Sequence, residues 1–207
     1  MSQTAQVAAD YGLFSSFLKP FSRWHQTPLT VAGMVGSGRM IMIEIRNERP
    51  GDVEAVREVH RQAFNQEQEG RIVDALREHG GGLLSLVAVV NGVVVGHIMF
   101  SPLSVGPAIG AGLGPMAVLP QYQRQGIGTE LVQQALARLT DSHCPFVVVI
   151  GHPDFYPRFG FEQAAGYGLT CEWDVPAEAF MVAVLKPEVT GELAGLAKYR
   201  SEFSTVE

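Results

Sequence analysis

The chain has 207 residues, 46% of them apolar and 17% charged, and a formal net charge of −6 at pH 7. That balance suits a globular domain with a full core. It argues against nucleic acid as the main partner, because phosphate backbones are held by clustered Lys and Arg. No run of 18 apolar residues exists to span a bilayer, and no basic region followed by an apolar stretch marks a secretory leader. The two cysteines, Cys144 and Cys171, lack paired metal spacing and read as small apolar residues. A reducing compartment fits that usage, so a cytoplasmic protein is expected.

Residues 1–40 differ in texture from the remainder of the chain. Tyr11 to Pro20 is aromatic-rich without a period, and Gly33, Gly36, Ser37 and Gly38 resemble a linker. Residues 1–40 are therefore expected to be a dispensable, poorly ordered extension, with the folded domain spanning 42–190 and a tail at 191–207. Ile43 to Arg46 alternates like a strand. Pro50-Gly51-Asp52 makes a turn with Asp52 as N-cap, before Val53, Val56, His60, Ala63 and Phe64 at helical spacing. A second helix runs from about Gln66 to His79 and stops at Gly80-Gly81-Gly82.

Leu83–Val90 and Val93–Phe100 flank Asn91-Gly92, the strongest short-range hairpin signal. Ser101 to Gly114 reads as a Pro/Gly-rich connection, and Met116 to Leu119 as a strand. An amphipathic helix follows from Thr129 to Thr140, then a buried strand at Phe146–Ile150. A helical turn near Phe155–Phe161 and closing strands at Leu169–Val175 and Phe180–Leu185 complete the order β-α-α-β-β-β-α-β-α-β-β. The pattern predicts an α+β domain with a mixed, strongly twisted sheet of about six or seven strands and about four helices. Exposed strands near the C-terminus make a homodimer an expectation.

Between the strand at Met116 and its helix lies Gln123-Arg124-Gln125-Gly126-Ile127-Gly128. A helix N-terminus presents unpaired N–H groups and a positive dipole end, and glycines let a diphosphate come close. A Walker loop would need Lys-Ser or Lys-Thr after Gly128, where Thr129-Glu130 stands. A dinucleotide fingerprint would need a small residue where Leu131 stands. No Gly-x-Ser-x-Gly elbow appears, neither cysteine has a nucleophile's setting, and the six histidines form no metal-ligand spacing, so no metal is expected. His97, inside the hairpin's second strand, reads as a structural residue hydrogen-bonded within the sheet.

The stretch from Met116 through Val132, with Val118 and Pro120 ahead of Gln123, Gly126 and Gly128, resembles the acetyl-CoA signature of the GNAT superfamily of N-acetyltransferases. Ile150 to Phe161, with Tyr156 ahead of Phe159-Gly160-Phe161, resembles a later segment of that family. The likeness covers about residues 42–190 and is strongest to the YhbS-like branch. It implies a GNAT-type fold and an N-acetyltransferase that moves acetyl from acetyl-CoA to a primary amine in a ternary complex. A non-catalytic acyl-CoA sensor is the alternative. The resemblance assigns pantetheine pairing to backbone near Met116, Ala117 and Val118. It assigns pyrophosphate binding to Gln123, Arg124, Gln125, Gly126, Ile127, Gly128 and Thr129. Tyr156 would be the general acid, and Glu67, Glu69 and His152 the candidates for the base.

Overall fold

The computed structural model describes residues 29–35 and 39–205. The expectation for 1–40 falls largely on 1–28 and 36–38, outside the described residues. Residues 29–35 belong to the sheet: strand β1 (Leu29–Val35) pairs antiparallel with β2 (Arg39–Asn47), from Leu29↔Ile45 to Val35↔Arg39. The sheet therefore begins before Met42.

In β2, Ile43 and Ile45 are buried while Glu44 and Arg46 face outward, the alternation that a half-buried strand requires. Asp52 stands at the N-cap of the next helix, as expected, but its side chain makes no capping bond. Its carboxylate accepts two bonds from the Arg46 guanidinium, at 2.5 and 2.9 Å, and one from the Arg49 N–H at 2.7 Å. The charged, bidentate partner outcompetes a helix amide. Helices α1 (Val53–Phe64) and α2 (Gln68–Glu78) come next, separated by Asn65 in the left-handed region.

Strands β3 (Leu84–Val90) and β4 (Val93–Val105) form the expected hairpin, with Asn91 and Gly92 at φ 51° and 78° as the tight turn demands. The stretch 101–114 is strand rather than connection. β4 continues to Val105, turns at Gly106-Pro107 and returns as β5 (Ala108–Val118), paired from Val105↔Ala108 to Gly96↔Val118. Its glycines allow close approach: a Cβ on Gly110 would stand 2.6 Å from the Phe146 carbonyl oxygen, and one on Gly112 2.7 Å from the Tyr199 ring.

Helix α3 (Ile127–Asp141), strand β6 (Phe146–Ile150), the short β7 (Glu162–Gln163), β8 (Leu169–Cys171) and β9 (Phe180–Val184) come next. Strand β10 (Gly195–Lys198) and helix α4 (Glu202–Thr205) end the described chain. The segment read as a tail is structural, because β10 pairs antiparallel with β4 and parallel with β8. Ten strands result among the described residues, in the order β1-β2-β3-β4-β5-β6-β9-β7, with β10 against the outer half of β4 and β8 paired to β10. The strands beyond the expected six or seven are mainly β1 and the short β7 and β10. The fold is α+β, a mixed open sheet with four α-helices among the described residues. Neighbouring residues of β4 place the helices on opposite faces: a Cβ on Gly96 would meet Ile127 and Leu131 of α3, while His97 touches His60 of α1.

Candidate active site

Strands β5 and β6 run parallel and pair at three positions, Ala111↔Val147, Gly112↔Val148 and Leu113↔Val149. Beyond Leu113 they part. Ile98↔Met116 and Phe100↔Leu113 set the single residue Met99 opposite Gly114 and Pro115, a bulge that bends β5 away. The gap opens into a cleft of about 1200 Å³ lined on one side by Gly114–Val118 and on the other by Ile150, Gly151 and His152. The Leu119 N–H donates to Val95 O at 2.9 Å. By ladder alternation Ala117 also turns its N–H and C=O to β4, and Met116 and Val118 turn theirs to the cleft. Of the three residues expected to offer free backbone groups, the register thus favours two. The Val118 carbonyl is already held by Gln123 Nε2 at 2.9 Å, which ties the loop to the strand.

Gly126 caps α3 at φ 85°, a conformation that costs a side-chain-bearing residue about 1–2 kcal/mol. The helix begins at Ile127, two residues before Thr129, and its first internal bond is Glu130 N–H to Gly126 O at 3.0 Å. The amides of Ile127, Gly128 and Thr129 precede that bond and carry the positive end of the dipole. Gln123, Arg124, Gly126, Gly128 and Thr129 line the cleft. Gln125 and Ile127 do not present side chains to it. Gln125 donates to Gln121 O at 2.8 Å, and Ile127, 1% exposed, packs into the core.

Tyr156 begins a 3-10 turn and lines the opposite wall with its ring 6% exposed. Gly151 makes room for that ring, since a Cβ there would lie 2.2 Å from Tyr156 Cε2. Phe155 and Phe161 hold it edge-on, at centroid distances of 5.1 and 5.5 Å. Burial pushes the Tyr156 hydroxyl well above the usual phenol range, which keeps it protonated and a donor. His152 lines the cleft with an exposed side chain, and its carbonyl accepts the Phe155 N–H at 3.0 Å.

The two glutamates separate. Glu67 is exposed, pairs with Arg71 at 2.9 Å and lies outside the lining. Glu69 lines the cleft; Oε1 accepts Gln66 Nε2 at 2.8 Å, and Oε2 is buried without a hydrogen-bond partner. An unpaired carboxylate oxygen at the edge of a cleft is a site for an N–H donor.

Other lining residues went unforeseen: Phe64 and Ile72 from α1 and α2, Trp173, and Tyr199 and Phe203 from the supposed tail. Tyr199 packs between Trp173, tilted at 5.2 Å, and Phe203, edge-on at 5.3 Å, its N–H donates to Glu172 at 2.8 Å, and its buried hydroxyl has no partner. The aromatic pair Tyr199 and Phe203, four residues apart beyond an apolar Gly-Leu-Ala, was the available signal. Behind α1, His97 makes its expected sheet hydrogen bond to Ser85, Nε2 to Oγ at 2.8 Å, and also meets His60 Nε2 through Nδ1 at 2.8 Å. Ser85 donates on to Glu48 at 2.5 Å. Burial lowers both histidines, His60 to about 3, with the His97 and Arg77 charges adding to it. Among the described residues no group of three or more His, Cys, Asp or Glu could hold a metal ion, and no helix is long and apolar enough to cross a membrane.

Comparison with known proteins agrees with this geometry. Residues 45–161 match the acetyltransferase (GNAT) family. The uncharacterized N-acetyltransferase YhbS of Escherichia coli K12 is 36% identical over 163 residues, covering 77% of this chain and 98% of that protein. A crystal structure of Escherichia coli YhbS in complex with CoA aligns with a TM-score of 0.76 at 32% identity, over 88% of this chain and 98% of that one. A GNAT family acetyltransferase from Brucella melitensis in complex with acetyl-CoA gives a TM-score of 0.66 at 36% identity, over 78% of this chain and 97% of that one.

Proposed function

The chain belongs to the acetyltransferase (GNAT) family, and from that premise we propose that it transfers acetyl from acetyl-CoA to a primary amine by direct attack. The observation that carries the reading is the junction of the β5–β6 split with the α3 N-terminus in one continuous cleft. Bound CoA in YhbS and acetyl-CoA in the Brucella protein support it.

In this reading the amides of Ile127, Gly128 and Thr129 hold the pyrophosphate, with Arg124 adding charge. Pantetheine lies along the open edge of β5 and pairs with the free groups of Met116 and Val118. One of those N–H groups faces the thioester oxygen and stabilises the oxyanion of the tetrahedral intermediate. Glu69 takes a proton from the incoming ammonium, whose nitrogen then attacks the carbonyl carbon. As the intermediate collapses the C–S bond breaks, Tyr156 gives its proton to the sulfur, and the proton left on nitrogen returns to Tyr156. Glu69 is preferred to His152 for its unpaired buried oxygen, and Glu67 has no part in the step.

The test is Tyr156→Phe. Loss of the general acid lowers kcat by about 10²–10⁴-fold, while CoA affinity, measured by calorimetry, stays near that of the parent. Unchanged turnover removes Tyr156 from the mechanism, and no thiol release with any amine favours a non-catalytic acyl-CoA sensor.

A further inference from the structure

The cleft has a second end that acyl-CoA chemistry leaves unused. Tyr199 rests on Gly112, and Phe203 comes within 3.7 Å of a Cβ built on Gly114. The pyrophosphate loop departs only after Val118. The six residue steps along β5 from Gly112 to Val118 span about 20 Å. Trp173 packs on Tyr199 there, and Phe64, Glu69 and Ile72 from α1 and α2 line the same cleft.

Its chemistry is one-sided. Three rings and an isoleucine make the apolar walls. Two polar atoms, Glu69 Oε2 and Tyr199 Oη, are buried without a partner. An unpaired carboxylate oxygen and a phenol both take N–H donors, and buried atoms of this kind are disfavoured until something bonds them. Aromatic faces also attract an ammonium. The arginines lining the cleft sit elsewhere: Arg124 is in the α3 loop, and the Arg158 guanidinium lies 4.9 Å over the Phe155 ring, which packs at Gly128. Among the described residues of the lining, an acceptor carboxylate would meet Glu69 and no further Lys or Arg.

We infer that the acceptor is a primary amine on an aromatic or bulky apolar body without an acidic group, the arylalkylamine class. The ammonium points to Glu69 and Tyr199, and the body lies between Phe64, Trp173 and Phe203. This rests on the acyl-transfer reading.

Thiol release from acetyl-CoA by the full chain, with 2-phenylethylamine, phenylalanine, spermidine and a lysine-containing peptide as acceptors, tests it. The kcat/KM for 2-phenylethylamine is expected to exceed the others by at least about tenfold. Tyr199→Phe, which keeps the ring, is expected to raise the amine KM about tenfold at unchanged acetyl-CoA KM. Equal or faster turnover of phenylalanine, spermidine or the peptide overturns the inference and leaves acyl transfer standing. If no amine is acetylated, acyl transfer fails, and titration calorimetry on CoA-saturated protein decides the inference. Tighter binding of 2-phenylethylamine than of phenylalanine upholds it; equal or weaker binding overturns it.

Discussion

Replacing Gly151 with alanine moves the proposed general acid without touching its chemistry. The new Cβ would stand 2.2 Å from Tyr156 Cε2, 2.9 Å from Cδ2 and 3.2 Å from Cζ. Carbon atoms rest at about 3.5–4.0 Å, so the ring must retreat by roughly 1.5 Å. Phe155 and Phe161 close the routes of retreat around a ring that is 6% exposed. A misplacement of about 1 Å costs on the order of 10²-fold in rate, and overpacking costs about 1–3 kcal/mol. Gly151→Ala is thus expected to lower kcat about 100-fold in a thiol-release assay. CoA affinity by calorimetry should fall much less than kcat, since the clash reaches the α3 amides only through Phe155, whose ring packs at Gly128. Calorimetric melting should fall by roughly 2–10 °C. A folded Gly151→Ala protein with parental kcat refutes the reasoning, because the position of the phenol then does not limit the reaction.

Gly126→Ala meets no atom within 4 Å, so its cost is conformational and falls on the loop. CoA affinity should weaken about five- to thirtyfold, the equivalent of roughly 1–2 kcal/mol, with kcat at saturation nearly preserved. Acid should destabilise the fold through His60. Its folded pKa, about 3, lies below the ordinary 6.5, so the unfolded chain binds the proton first. That stability is fully present above about pH 6.5 and is lost as pH falls toward about 3, which urea midpoints across this range will report. Ser85→Ala removes the hydrogen bond at His97 Nε2 and leaves only Glu48, at 3.5 Å, beside it, and should cost about 1–3 kcal/mol in the same assay. Truncation after Leu193 removes β10, Tyr199 and Phe203, and is expected to give an insoluble or strongly destabilised chain. A stable, active product would restore the tail reading.

Where a signal is local, reading the chain succeeds. Asn91-Gly92 demanded a two-residue turn because two successive positive φ angles suit few other pairs. Gly126 and Gly128 between a β-strand and an amphipathic helix implied an anion nest, and the α3 N-terminus lines the cleft. The stretch 101–114 misled because glycine and proline signal loops only on average. Here Gly110 and Gly112 are small because Phe146 and Tyr199 lie across them, contacts made by residues more than 30 positions away. Asp52 holds the N-cap position that was read for it, but its carboxylate turns to Arg46 on the preceding strand, a partner that local spacing does not announce.

The amino-acid order alone therefore located the proposed donor half: the last residues of β5, the glycine loop, the α3 helix and Tyr156 are one contiguous stretch whose backbone chemistry is set by near neighbours. The proposed acceptor half was decided by tertiary structure. Glu69, Trp173, Tyr199 and Phe203 stand far apart in the chain and share a cleft only because β5 and β6 separate beyond Leu113 and β10 folds back onto β4. Whether a glutamate is a solvated charge or an unpaired oxygen facing a substrate depends on what packs around it, and spacing along a helix carries no record of that.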